Sequence, residues 1–285
     1  QSELLRLDYK QFSHLLEEKI RDRFQSENPN IKIHIVGFAK KVGDLIDGLI
    51  GVVGFFGIAF VITFVLLYMF TWCIRSTVSV LVTTVIAVIW QLGLINLVGF
   101  GLDPYSMLVP FLIFAIGISH GVQKINGIAL QSGGADNALV AARLTFRQLF
   151  LPGMIAILAD AVGFITLLVI KIDVIHELAI GASIGVAVIV FTNLIMLPVT
   201  ISYLGISKKA VERSKRDAVR EHPFWRFLSN VAHPNVAPWM VIVALVAGTT
   251  CFVYQKNNIK VGDLDAGAPE LRPDSRYNKD NDFII

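Results

Sequence analysis

Charge is scarce in this sequence. Asp, Glu, Lys and Arg together supply 16% of its 285 residues, against about 25% in ordinary soluble domains. With 54% hydrophobic residues and a mean hydropathy of +0.64, the chain has too little polar surface for an ordinary water-soluble enzyme. Cysteine is nearly missing as well. Cys73 and Cys251 alone exclude a disulfide framework and a thiolate metal cluster. No phosphate-binding G-x-x-x-x-G-K-[ST] loop occurs, so ATP use has no basis in the residues. Asp173, His176 and Glu177 read as a polar turn rather than as metal ligands. No metal, no cofactor and no enzymatic activity are expected.

Against these absences stand long apolar runs. A helix needs about 20 apolar residues to cross the hydrocarbon core, and six stretches qualify: 51–72, 77–100, 105–127, 149–170, 178–204 and 236–255. Short connections on one side of these spans carry eleven positive residues, from Arg75 through Lys124, Arg143 and Arg147 to the cluster between Lys208 and Arg226. The opposite connections at 101–104 and 171–177 hold only Lys171. Positive residues resist translocation, so the first side is expected to be cytoplasmic and residues 1–44 and 257–285 to lie outside. Cys73 and Cys251 then sit near opposite membrane surfaces and cannot pair. The net charge of +3 follows topology and forms no nucleic-acid patch.

Residues 3–26 mix apolar and charged side chains at helical spacing, and Ile31, Ile33 and Ile35 alternate with Lys32 and His34 as in a half-buried strand. The Gly-, Pro- and Asp-rich stretch Val261 to Asn281 reads as a strand entering loops. Residues 135–148, after the Ser132-Gly133-Gly134 break, predict a short helix lying on the membrane. Residues 207–228 are basic and end in Phe224, Trp225 and Phe227, which suits either an interfacial segment drawn to anionic lipid or a solvated linker.

Ionisable groups inside a span cost a few kcal/mol and usually face a bundle interior or a water path. Only the third and fourth spans carry them: His120 and Lys124 in one, Asp160 in the other. At about 100° per residue, Gly117, His120, Gly121 and Lys124 share one stripe. Asp160 is flanked in the same way by Gly153, Ala156 and Gly163. The expectation is that these small-residue faces pack together and bring His120 within hydrogen-bonding range of Asp160, with Ser119 and Lys124 nearby. An imidazole and a carboxylate so placed form a proton-coupling site, and the plainer alternative is a structural polar clamp. Gly181 and Gly185 form another close-packing pair, and Gly51, Gly54 and Gly57 a glycine face. Gln91, Asn96, Thr192 and Asn193 suit hydrogen bonds between helices. Pro110 and Pro198 are placed to kink their spans.

Three stretches carry a likeness: Leu108 to Asn126 (LVPFLIFAIGISHGVQKIN), the fourth and fifth spans with Gly163-Phe164 and Leu197-Pro198, and Gly262 to Asp280 (GDLDAGAPELRPDSRYNKD). On these the chain resembles transporters of the resistance-nodulation-division superfamily, in the hydrophobe and amphiphile exporter branch that includes the mycobacterial membrane protein large type and is related to Patched and Niemann-Pick proteins. The resemblance implies an all-α polytopic membrane bundle of six transmembrane helices, with fragments of α+β periplasmic domains at both ends. Residues 1–44 would end the first periplasmic domain, and 45–204 would be a five-helix block like a sterol-sensing domain. Residues 205–233 would be a basic cytoplasmic linker, 234–256 the first helix of a second half, and 257–285 the start of a second periplasmic domain. Many members carry an Asp-Tyr pair where this chain has Ser119-His120, which moves the ionisable role to His120 and Asp160. The implied function is proton-motive-force-driven export of a lipid, sterol-like compound or drug from the inner membrane. Its implied partners are membrane lipids, a hydrophobic or amphipathic substrate, the remaining half of the polypeptide, and a homo-oligomer or periplasmic and outer-membrane proteins. The rival readings are a sterol- or lipid-sensing module that moves no protons, and a structural half whose coupling site lies elsewhere.

Overall fold

A computed structural model describes residues 8–101, 106–135, 137–219, 223–260, 267–268 and 270–284. Among these residues helix is the only regular structure, and no strand forms. Six helices are long and apolar enough to cross a membrane: α3 (Phe38–Thr71), α4 (Ile74–Leu97), α5 (Val109–Gln131), α6 (Ala138–Thr166), α7 (Asp173–Ile189) continuing into α8 (Leu197–Leu204), and α11 (Ala237–Asn258). Shorter helices are α1 (Tyr9–Leu16), α2 (Arg23–Glu27), α9 (Lys208–Val219), α10 (Pro223–Val231) and α12 (Arg276–Ile284). The chain divides into two compact units, one of residues 1–51 and 220–285 and one of residues 52–219.

In the second unit, α4, α5 and the α7–α8 span form the centre. Half of the most apolar window of α4 is buried, and 56% of that of the fifth span, against 11% for the α6 span. The core joins Leu81, Ala87 and Val88 of α4 to Ile113 and Phe114 of α5 and to Ala182, Val186 and Ile189 of α7. Apolar length makes these segments helices, because backbone groups in hydrocarbon must be satisfied within the segment.

Helix ends follow local chemistry. Asn137 caps α6, its side-chain oxygen accepting from the Val140 amide at 2.9 Å. Pro110 sits in the first turn of α5, where its missing N–H costs nothing, so it starts that helix instead of kinking it. Pro198 opens α8 and directly follows a π-helical stretch, Val190–Met196. Its missing donor and its ring, which crowds the preceding turn, account for the loosened ladder there. α3 ends at Trp72, which takes a left-handed φ of 49° and lies 5.0 Å beneath the Arg213 guanidinium.

Three local expectations change. Residues 138–148 are the first turns of α6 and not a separate surface helix, because nothing between Ala138 and Leu151 breaks the ladder. The alternating Ile31, Ile33 and Ile35 form no strand, and no described segment offers them a ladder. Arg276–Ile284 is helix α12 where loops were expected, while residues 261–266 of the expected strand lie outside the described residues. The α+β character expected at both ends is therefore absent from the described residues.

In the first unit, α12 docks onto the N-terminal segment through buried charge. Arg21 pairs with Asp280, which also accepts from His34 Nδ1 at 2.9 Å and from the Ile35 amide at 3.1 Å. Glu17 gathers Arg21 at 3.3 Å, Lys40 at 3.0 Å and Arg276 at 2.6 Å. The His34 ring stacks on Phe283 with centroids 4.0 Å apart. His34, expected as one alternating position of a strand, is instead one arm of this clasp.

Candidate functional site

The small-residue stripe of α5 does receive a neighbour, but not α6. A Cβ on Gly117 would lie 2.7 Å from Thr84 Cγ2 of α4 and 3.2 Å from Asn193 Nδ2, and one on Gly121 would lie 2.6 Å from Val80 and 3.3 Å from Asn193 Oδ1. The Asn193 amide, carried by the π-helical stretch, thus lies across both glycines. Its oxygen is 3.4 Å from Thr83 Oγ1. A π-helical turn re-aims a side chain inside a span, and here it points an amide into the groove.

His120 stands beside this groove, 7% exposed, with Nδ1 buried and unpaired. Lys124, one turn further along, is 1% exposed. It is among the largest fully buried side chains of the described residues, and no carboxylate is bonded to it. Its Nζ donates to the Leu149 carbonyl of α6 and lies 3.2 Å from where a Cβ on Gly153 would stand. Gly153 is what admits the ammonium. Pro152 beside it has no N–H to give the Gln148 carbonyl and its ring crowds that turn, which loosens the ladder next to the Leu149 carbonyl.

The Lys124 to Leu149 contact fixes the register of α5 against α6 and decides where Asp160 falls. Antiparallel helices with Lys124 level with Leu149 place His120 level with Gly153, so Asp160 lies about 10 Å further along the axis at about 1.5 Å per residue. No hydrogen bond joins His120 to Asp160, although the carboxylate remains within electrostatic reach of the ring. The expected direct pairing is not formed, and the reason is the register. Asp160 is exposed on the outer surface of the bundle, and a Cβ on Gly163 would meet nothing within 4 Å from outside its own helix turn. Ser119 is exposed too, a third of a turn from His120. A Cβ on Gly181 would lie 3.1 Å from Ile95 and one on Gly185 only 2.4 Å from Ile113, so the bare glycines let α7 close on α4 and α5. Gly51, Gly54 and Gly57 lie open.

A polar stripe on α4 completes the interior, and of its members sequence reasoning singled out only Gln91. Ser76, Ser79, Thr83, Thr84 and Gln91 are all buried. Their spacing of three, four and seven residues on one face was the available signal. Gln91 donates to the Gly181 carbonyl at 3.4 Å, while Thr84 Oγ1, Gln91 Oε1 and His120 Nδ1 are buried without partners. Buried polar atoms are normally paired, so these atoms depart from ordinary core packing. Two stretches, Gly117 to Gly121 and Gly181 to Gly185, spell the G-x-S-x-G spacing of serine hydrolases. Both lie inside continuous helices and lack the strand-to-helix turn that exposes such a nucleophile. No group of three or more His, Cys, Asp or Glu that could hold a metal occurs among the described residues.

Comparison of the chain with protein-family models, with curated proteins and with solved structures finds no match.

Proposed function

We propose that this chain is part of a membrane transporter that uses the proton gradient to move a hydrophobic or amphipathic molecule, such as a lipid, a sterol-like compound or a drug, out of the inner membrane. The observation that carries the reading is Lys124 with His120: a buried ammonium and a buried imidazole inside a bundle of membrane-spanning helices, with no carboxylate bonded to either. Membrane proteins retain such groups at a cost of a few kcal/mol, and gaining or losing a proton is the event that changes that cost most. A proton crossing the membrane releases about 2.3 kcal/mol per 100 mV, enough to shift one helix packing to another. Asp160 and Gly163 present an open polar face on α6, which in a membrane calls for cover by protein or water. In this reading the second half of the transporter covers it and Asp160 exchanges protons there.

The test uses the full-length transporter in energised vesicles. Lys124→Met, His120→Ala and Asp160→Asn should each abolish substrate export while the protein still inserts and folds, and an uncoupler should stop the wild type. Export that survives both the substitutions and the uncoupler overturns the reading. Lipid binding without any flux would instead favour the sensing module.

A further inference from the structure

At the end of the bundle where α6 begins, a groove of about 420 Å³ runs between α6 and the Ile195–Ser202 stretch of the fifth span. Its walls are apolar, with Leu139, Ala142 and Phe146 on one side and Ile195, Pro198 and Val199 on the other. Leu139, Ile195 and Val199 are 45%, 39% and 51% exposed, which an aqueous surface would penalise and an acyl chain would cover. Arg143 and Arg147 stand at its edge, and no acidic residue lines it.

These arginines lie four residues apart on one helix face, where like charges destabilise the helix. Neither makes an ion pair or a hydrogen bond to the protein, and both are exposed where they line the groove, so their guanidinium donors are open to a ligand. Of the three other arginines described in this unit, Arg75 donates to the Leu204 carbonyl at 3.0 Å and Arg213 meets Asp217 at 3.4 Å and the Met69 carbonyl at 3.2 Å, while Arg216, on α9, does not line this groove. Two unengaged forks one turn apart match the oxygens of a single phosphate, which guanidinium holds with parallel hydrogen bonds. The apolar walls below match hydrocarbon chains. A basic pocket between membrane helices is where an anionic headgroup gains both contributions at once.

We propose that the groove between α6 and the Ile195–Ser202 stretch is a binding site for an anionic phospholipid, with Arg143 and Arg147 clamping its phosphate and Phe146, Ile195 and Val199 lining its acyl chain. The site stands apart from Lys124 and His120 and does not depend on proton coupling.

Native mass spectrometry of the purified full chain in detergent tests this, reading bound lipid after addition of dioleoylphosphatidylglycerol or dioleoylphosphatidylcholine. Phosphatidylglycerol should bind at least tenfold more tightly than phosphatidylcholine. The Arg143→Ala/Arg147→Ala double variant should lose that preference, and Val199→Trp, which keeps both arginines and fills the groove at an exposed position, should weaken binding of either lipid. Far-ultraviolet circular dichroism shows that each variant is folded, and Arg143→Lys/Arg147→Lys, which retains the charge and the topology signal, should recover only part of the affinity. Phosphatidylglycerol binding within twofold of wild type in the double alanine variant overturns the proposal, as does binding unchanged by Val199→Trp. Displacement of the lipid by millimolar inorganic phosphate would assign the arginines to free phosphate and overturn the lipid assignment.

Discussion

Buried charge is handled in opposite ways in the two units of this protein. In the unit of the chain ends, Arg21, Lys40 and Asp280 are each about 95% buried, and each meets an opposite charge. In the bundle unit, Lys124 is buried more deeply still and meets a neutral carbonyl. A buried pair roughly offsets its own desolvation, whereas a buried lone charge does not. The first arrangement suits a permanent joint between segments some 250 residues apart in sequence. The second suits a group whose charge state is meant to change.

The sharpest way to break this comparison is to remove one partner from each. Asp280→Ala leaves Arg21 buried without its counter-charge and should cost about 3–5 kcal/mol, read by chemical unfolding of the full chain in detergent. Lys124→Met removes a lone buried charge and keeps its volume, so it should be neutral or stabilising, by up to about 4 kcal/mol. An equal loss in both would show that Lys124 is structural and end the distinction.

Packing gives a second contrast. Gly117→Leu must displace Thr84 and Asn193 and should cost about 1–3 kcal/mol, while Gly163→Leu, with nothing within 4 Å, should change stability by less than about 0.5 kcal/mol. Thermal unfolding of the two variants side by side decides it. A large cost at Gly163 would show that its face is covered within this chain.

The smallest effect concerns Cys73, in the connection between α3 and α4. Burial raises the pKa of its thiol, but hydrogen bonds from Ser76 and Ser207 outweigh burial and hold it below its ordinary 9.0. A folded-state value below the unfolded one stabilises fully above the unfolded pKa and is lost as pH falls through the folded one. Stability should therefore rise slightly as pH approaches 9, and Cys73→Ser should flatten that rise in unfolding midpoints measured across the range.

Much of the architecture was legible because hydrocarbon imposes a length and a composition that show directly in the residues. All six membrane-crossing helices overlap the apolar runs, and the ionisable residues in the spans stand out against them. Boundaries were less legible. The α6 span begins at Ala138 instead of near residue 149, since an amphipathic first stretch joins an apolar one without a breaker, and composition alone reads the change as a break. The terminal segments misled further. Alternation over Ile31 to Ile35 carries a strand signal, but a strand needs a partner, and the described residues provide His34 with Asp280 and Phe283 instead.

The sequence by itself determined the six stretches long and apolar enough to cross a membrane, and that His120, Lys124 and Asp160 are the ionisable residues set within those apolar runs, because charge and apolar length are properties of residues in order. Tertiary structure decided which of them meet. The groove of Gly117 and Gly121 took Asn193, Gly153 took Lys124, and Asp160 was left on the outer face about two turns from His120, because the register of two packed helices is set by shape at every contact and is written in no single stretch of sequence.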